Sequence, residues 1–264
     1  MFMPNKVKKV ILMGKKPGAA RALLYLLEKG ITVPLAVAQK DETYGNNLYK
    51  TATEHGVKVV SDKELNELIK NNHPTVQDID LVISYLFWNR IKKSLIDLGR
   101  LGCVNFHPAP LPDYKGRAGY NTAILDERAE FGVSAHYIDS EDFDSGPIIK
   151  VLKFAIDSKL ETAFSLERTT QIKLYELFEQ VMGLFIQGAE IATTPNQGGT
   201  YLTGEELEKL KMVDLEKDPP AVIDRKIRAF FFPPYAGAKV NAQGKEYTLI
   251  NDKIFELIFR ELNK

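Results

Sequence analysis

KVILMGKKPGAARALLYLLEKG, residues 9–30, is the stretch that sets the architecture. Its apolar run from Lys9 to Gly14 ends in glycine, Pro17-Gly18 turns the chain, and Leu23, Leu26 and Leu27 then share one helical face that Gly30 can close. Strand, turn and helix follow in that order, and the pattern repeats. Thr32 to Ala38 predicts a strand, Tyr44 to Glu54 a helix, Val57 to Val60 a strand, Asp62 to Lys70 a helix and Asp80 to Ser84 a buried strand. Alternation at this spacing predicts a parallel sheet covered by helices. Further on, Arg90 to Gly99 predicts a helix, Gly102 to Phe106 a strand and Tyr120 to Asp126 a helix. Gly132 to Ile138 and Ile148 to Phe154 predict two more strands. Thr162 to Gln187 is a long amphipathic helix with Leu166, Ile172, Leu174, Leu177 and Met182 as core positions. After Gly188 the chain becomes Gly- and Thr-rich, Glu205 to Leu210 predicts a charged helix, and Lys226 to Lys264 holds aromatic and hairpin-like segments. The expectation is an α/β fold: an open, mostly parallel, Rossmann-like sheet flanked by helices over 1–190, with a small α+β appendage over 191–264.

Composition bounds the function. The chain has 264 residues, 44% of them hydrophobic, enough for a large core and too few for a large multidomain assembly. Lys+Arg and Asp+Glu both total 35, so no global field draws the chain to nucleic acid or anionic lipid, and an anionic substrate must be met by a local cluster. The single Cys103 can form no internal disulfide and no thiolate set for zinc, which fits a reducing, cytoplasmic setting. Val10 to Met13 is too short for a signal-peptide apolar region, and no run of ~20 apolar residues predicts a membrane span. The first turn, Gly14-Lys-Lys-Pro-Gly18, lacks both the spaced glycines of a dinucleotide loop and the Gly-Lys-Ser/Thr ending of a phosphate loop. It reads as a tight strand-to-helix turn.

Val104-Asn105-Phe106-His107-Pro108-Ala109-Pro110-Leu111-Pro112 carries the chemistry. An amide and an imidazole two residues apart at the C-terminal end of a strand project to the same side, and in an open parallel sheet that end is where ligands bind. The prolines stiffen the segment that follows. His136-Tyr-Ile-Asp139-Ser-Glu-Asp142-Phe-Asp144-Ser-Gly146 ends another predicted strand with a set of carboxylates, one of which is placed to face His107. Spacing alone leaves two other readings open, a structural histidine and an acidic turn that solvates itself or binds a cation. No ligand spacing such as His-Glu-x-x-His supports a metal site.

Asn105 to Gly116, NFHPAPLPDYKG, resembles the signature of the folate-dependent formyltransferases, which carry Asn-x-His-Pro/Ala-x-Leu-Pro and, about forty residues on, an Asp just before a small residue and Gly. Here that Asp is Asp144 in Phe143-Asp144-Ser145-Gly146, and the resemblance runs from about Val7 to Tyr201. The Phe-His-Pro-Ala-Pro-Leu-Pro form, with Gly198-Gly-Thr-Tyr201 and Ile223 to Phe230, is most similar to the sugar N-formyltransferases that act on nucleotide-linked amino sugars. The glycinamide ribonucleotide and methionyl-tRNA enzymes usually have Ser-Leu-Leu-Pro, and chain length and zero net charge also favour the sugar enzymes.

The resemblance implies transfer of a formyl group from the co-substrate 10-formyltetrahydrofolate to a primary amine, with no metal and no covalent enzyme intermediate. It assigns the oxyanion to Asn105 and His107, and to Asp144 the orientation of His107 and a raised imidazole pKa. It assigns the pterin to the loops holding Asn89, Arg90 and Ile91 and holding Ile138, Asp139 and Ser140, largely through backbone groups; the bulky Phe87-Trp88 departs from commoner members. For a nucleotide-linked sugar it points to Arg117, Tyr201, Arg228 and Phe232, within a basic and aromatic stretch that includes Arg225, Lys226 and Tyr235. The aromatic run outside the main sheet suggests a homodimer. Cys103, in an apolar strand, reads as a buried, inert thiol. A methionyl-tRNA formyltransferase and a non-catalytic folate- or nucleotide-binding protein are the alternatives.

Overall fold

The computed structural model describes residues 6–40 and 45–262. In chain order they form β1 (Lys9–Gly14), α1 (Lys16–Glu28), β2 (Thr32–Val37), α2 (Leu48–Glu54), β3 (Lys58–Val60), α3 (Asp62–Lys70), β4 (Leu81–Tyr85), α4 (Lys93–Ile96), β5 (Cys103–His107) and β6 (Lys115–Gly116). There follow α5 (Gly119–Leu125), β7 (Glu130–Tyr137), β8 (Ile148–Ala155), α6 (Ala163–Gln187), β9 (Tyr201–Leu202), α7 (Gly204–Leu210), α8 (Pro220–Phe230), β10 (Lys239–Ala242), β11 (Lys245–Thr248) and α9 (Asp252–Leu262). The main sheet has seven strands in the order β3-β2-β1-β4-β5-β7-β8. The pairs from β3 to β5 are parallel, and β7 runs antiparallel to β5. The α/β reading is therefore correct, with the parallel run ending at β5. Among the described residues no helix is long and apolar enough to cross a membrane.

Alternation along the strands sorts the two faces of the sheet. Ile11 and Met13 of β1, Val82 of β4 and Cys103 of β5 enter one apolar cluster with Leu65, Leu95 and Ile96. Tyr85 and Phe106 point to the other face, where their rings stack at 6.0 Å and Phe178 of α6 lies 5.9 Å and 5.0 Å from them. Tyr25 meets Phe178 edge-on at 5.8 Å.

Three expectations need correction or a narrower boundary. Ile172 is 64% exposed rather than part of the core. The buried side of α6 carries Leu166, Leu174, Leu177, Phe178, Val181, Met182 and Phe185, and two residues of helical rotation turn Ile172 away from Leu174. The helix expected over Arg90 to Gly99 is only the single turn α4, because residues 86–92 are taken up in a loop and Gly99 must fold back on Gly102 O, 2.4 Å from where a Cβ would lie. The helix expected from Tyr44 begins at Leu48, where Asn47 caps Lys50 N at 2.9 Å; Tyr44 itself lies outside the described residues.

The chain divides into two compact units, one of Met1–Pro112, Gly132–Leu152 and Gln171–Gly198, the other of Asp113–Phe131, Lys153–Thr170 and Gly199–Lys264. The first holds β1 to β5 and the greater part of β7 and β8. In the second, β6 pairs with β9, β10 and β11 form a hairpin, and α5 lies against α8 through the bond from Asn121 Nδ2 to Ala229 O, 2.7 Å.

The Phe178 contacts give a direct stability test. Phe178→Ala should cost ~3–5 kcal/mol in urea unfolding, the usual range for emptying a buried phenylalanine site. A cost below ~1 kcal/mol would show that the ring cluster does not anchor α6 to the sheet.

Candidate active site

Register builds the site. Ser84 of β4 lies opposite Asn105 of β5, and Asn105 lies opposite His136 of β7, so three polar side chains form a row across adjacent strands at the C-terminal end of β4 and β5. The row is hydrogen-bonded in series. Ser84 Oγ donates to Asn105 Oδ1 at 2.7 Å, and Asn105 Nδ2 is 3.0 Å from His136 Nε2. His136 Nδ1 is 2.7 Å from Tyr137 O, and since a carbonyl only accepts, Nδ1 carries the proton.

Asp144 closes the site from the loop after β7. Its Oδ1 stands 3.3 Å from Asn105 Nδ2, 3.3 Å from His107 Nδ1 and 3.4 Å from His136 Nε2. The carboxylate is only 10% exposed, and the His107 and His136 side chains 5% and 2%. A carboxylate this far from water needs such partners, because desolvation without them costs several kcal/mol. It also fixes the amide: Asn105 must turn its NH₂ to the carboxylate, which leaves Oδ1 for the Ser84 hydroxyl.

Local backbone geometry puts Asp144 there. Its φ is 50°, in the left-handed region that Asp tolerates better than most residues. Gly146 passes so close to β7 that a Cβ would stand 2.0 Å from Tyr137 O. Asn196 then clamps the turn, its Nδ2 donating to Asp144 O at 2.8 Å and Gly146 O at 3.0 Å. The segment after His107 is held similarly: buried Ser134 accepts from Leu111 N and donates to Ala109 O, both at 2.8 Å.

Asn105, His107 and Asp144 are thus brought together. The sequence reading gave no role to Ser84, His136 or Asn196. The first two become legible only once β7 is known to pair antiparallel with β5 in this register, and Asn196 sits in a loop with no pattern of its own.

The two loops expected to hold a pterin are neighbours. Arg90 lies over the Phe143 ring at 5.2 Å, and Lys93 N donates to Glu141 Oε1 at 3.0 Å. Asn89 is exposed and donates to Asp62 at 3.3 Å, whereas Ile91 is buried in the apolar cluster, against which Phe87 and Ile138 pack. Phe87 and Trp88 pack ring to ring at 4.6 Å. Ser140 Oγ is 3.1 Å from Ser145 Oγ, and Asp139 Oδ1 lies 3.0 Å from the position a Cβ on Gly146 would take.

The remaining candidates belong to the second unit. Arg117 is exposed just after β6, and Tyr201 is 56% exposed with its ring over Gly116, where a Cβ would approach it to 2.7 Å. Phe232 is stacked on Tyr120 at 6.4 Å and tilted against Tyr235 at 5.8 Å. Arg228 is a correction. Its guanidinium is buried, donates to Asp224 Oδ2 at 2.8 Å and to Ser158 O and Glu161 O, and so serves the packing of α8 rather than a ligand. Arg225 and Lys226 are engaged likewise, with Glu127 at 2.9 Å and Asp218 at 2.8 Å.

Residues 7–182 match the model of the formyl transferase family, and the chain belongs to that family. It is 26% identical over 257 residues to a methionyl-tRNA formyltransferase of Agathobacter rectalis, covering 94% of this chain and 81% of the relative. It is 30% identical over 183 residues to a GDP-perosamine N-formyltransferase of Brucella melitensis biotype 1, covering 69% of each. In fold it is similar to the N-formyltransferase of Helicobacter canadensis, whose crystal structure is a complex with folinic acid and dTDP-3-aminofucose: TM-score 0.71, 23% identity, 90% of this chain and 85% of that one.

Two measurements probe the site's construction. Burial pushes the Cys103 thiol up to about 12, so the folded protein at pH 8 should hold it protonated and leave a thiol-reactive chromogen unreacted until denaturant is added. Fast labelling of the native protein would contradict the burial. Asn196→Ala should lower kcat while costing ~1–3 kcal/mol of stability, from two backbone carbonyls losing their donor; unchanged turnover would show that Asp144 is held without the clamp.

Proposed function

We propose that this protein transfers a formyl group from 10-formyltetrahydrofolate to the primary amine of a nucleotide-linked 3- or 4-amino-dideoxysugar, with dTDP as the preferred nucleotide. The observation that carries the chemistry is the Asp144 oxygen shared by the nitrogens of Asn105, His107 and His136. The amine nitrogen attacks the formyl carbon, the carbonyl π electrons move to oxygen, and the tetrahedral intermediate collapses by breaking the bond to the folate nitrogen. That nitrogen leaves as an amine and takes up a proton, while the attacking nitrogen loses one. Asn105, by turning the N–H that leans on Asp144 at 3.3 Å, and His107 supply donors for the oxyanion. Asp144, 3.3 Å from His107 Nδ1, orients the ring and favours its imidazolium form, which can give the proton to the leaving nitrogen.

The folate would lie along the loops of Asn89 to Ile91 and Ile138 to Ser140. Arg117, Tyr201 and Phe232 are the side chains we assign to the sugar nucleotide, with 191–264 also supplying the surface of a homodimer. Buried Arg228 is withdrawn from that set. The GDP-perosamine relative and the dTDP-3-aminofucose complex support a sugar acceptor. A second reading, formylation of methionyl-tRNA, is favoured by the longer span of similarity to the Agathobacter rectalis enzyme. Equal totals of 35 basic and 35 acidic residues weigh against it, because tRNA phosphates call for a basic face. We place the enzyme in the cytoplasm, feeding surface-polysaccharide synthesis.

Purified protein given 10-formyltetrahydrofolate with nucleotide-linked 3-amino and 4-amino sugars, or with methionyl-tRNA, should yield a formylated sugar detectable by mass. Formylation of the tRNA alone would replace the sugar reading with the second one. Asn105→Ala and His107→Ala should each lower kcat by ~10²–10³-fold or more, with a lowered unfolding midpoint from the loss of a partner to buried Asp144 but a protein still folded under assay conditions. Native turnover in either variant would remove these residues from the site.

A further inference from the structure

The two loops given to the folate meet at their tips. One runs over residues 86–92 after β4, the other over residues 138–147 after β7. Their roots are fixed. Ile91 is buried in the apolar cluster of the sheet, against which Phe87 and Ile138 pack, and Asn89 Nδ2 donates to Asp62 Oδ2 of α3 at 3.3 Å. The second loop is also bonded to itself: Asp142 N donates to Ser140 Oγ at 3.3 Å, and Ser145 Oγ donates to Asp142 O at 3.2 Å. That closed turn leaves Phe143 46% exposed. From the first loop the Arg90 guanidinium stands over the Phe143 ring at 5.2 Å, and just beyond it Lys93 N donates to Glu141 Oε1 at 3.0 Å. Charge favours the same approach, because the first loop exposes Arg90 and Lys92 and the second exposes Asp139, Glu141 and Asp142.

We infer that Arg90 and Phe143 form a latch between the two loops, which parts to let the folate in or out and rejoins beside the bound molecule. The inference rests on the folate assignment of these loops and adds the means of entry. The contact has the strength a latch needs. A cation over an exposed aromatic ring is worth about a two- to fivefold change in an equilibrium. With one exposed hydrogen bond beside it, that is enough to hold the tips together and too little to keep them shut. Opening disturbs neither the buried roots nor the strands, so it is a local event of low cost. Nor does it release the carboxylate that follows Phe143, because Asn196 Nδ2 holds Asp144 O and Gly146 O from the other side, at 2.8 Å and 3.0 Å. A latch that closes alike on empty and filled loops sets how fast the ligand passes and leaves its affinity unchanged, since it favours neither state.

Trp88 is the single tryptophan of the chain and lies in the first loop, its ring 4.6 Å from that of Phe87, so its fluorescence reports binding there without a label. Stopped-flow mixing with folinic acid, the folate in the Helicobacter canadensis complex, gives both rates. Phe143→Leu keeps an apolar side chain and removes the ring; Arg90→Gln removes the charge. Each should raise association and dissociation together by about two- to fivefold, with Kd within about twofold of native. The double variant should be no faster than either single one, because both substitutions remove the same contact. Unchanged rates, a change in dissociation alone, or additive effects would overturn the latch, the last two marking the side chains as separate contacts to the ligand. Hydrogen exchange in the ligand-free protein keeps the two readings apart. The Lys93 amide, bonded across the gap to Glu141, should exchange about two- to fivefold faster in either variant, and exchange at the native rate would contradict the latch. A native protein that binds no folinic acid would sink the folate reading and with it the latch's cargo, while faster exchange in the variants would still hold the contact between the loops.

Discussion

One carboxylate oxygen organises the site. Asp144 Oδ1 lies within 3.4 Å of nitrogens from Asn105, His107 and His136, in a place where the Asp144, His107 and His136 side chains are nearly removed from water. Burying that charge is costly, and the cost is offset only if its partners hold their positions. The fold answers with backbone: a left-handed residue at Asp144, a glycine at 146 where nothing larger fits, and Asn196 bonded to the carbonyls on either side of Ser145. The charge cluster and the turn therefore depend on each other.

The sheet supplies the other half of the constraint. Parallel pairing of β4 with β5 and antiparallel pairing of β5 with β7 place Ser84, Asn105 and His136 in a single row, at the end of the sheet where side chains can meet a ligand. The apolar clusters beneath hold these strands, Cys103 among them, two residues before Asn105 on the same face. Stability and chemistry thus share strand β5: its first residue is core and its last, His107, faces Asp144.

Much of this was legible beforehand. Alternation of short apolar runs with amphipathic segments led to the α/β sheet because the periods of strand and helix differ so plainly between Lys9 and Ser84. The Asn105 to Pro112 stretch, with Asp144 downstream, pointed to the cluster because residues two apart on a strand must share a face. What the pattern could not convey was pairing. Nothing in GVSAHYI says that His136 will lie opposite Asn105, because register is a tertiary property. Ile172 lies outside the core because its angle on α6 turns it away from buried Leu174, and apolar character alone does not convey that angle. Arg228 looked like a phosphate ligand because charge in a sequence does not reveal that Asp224, one helical turn earlier, and two carbonyls already occupy it.

Asp144→Asn asks most directly whether the shared carboxylate oxygen drives formyl transfer. The amide keeps the size of the side chain and tolerates the left-handed backbone, so the fold should survive while the negative charge is lost. Single-turnover formation of the formylated product should slow by ~10³-fold or more, with an unfolding midpoint close to native. Product formation at the native rate in a folded Asp144→Asn protein would contradict the role assigned to that oxygen and, with it, the chemistry proposed for the site.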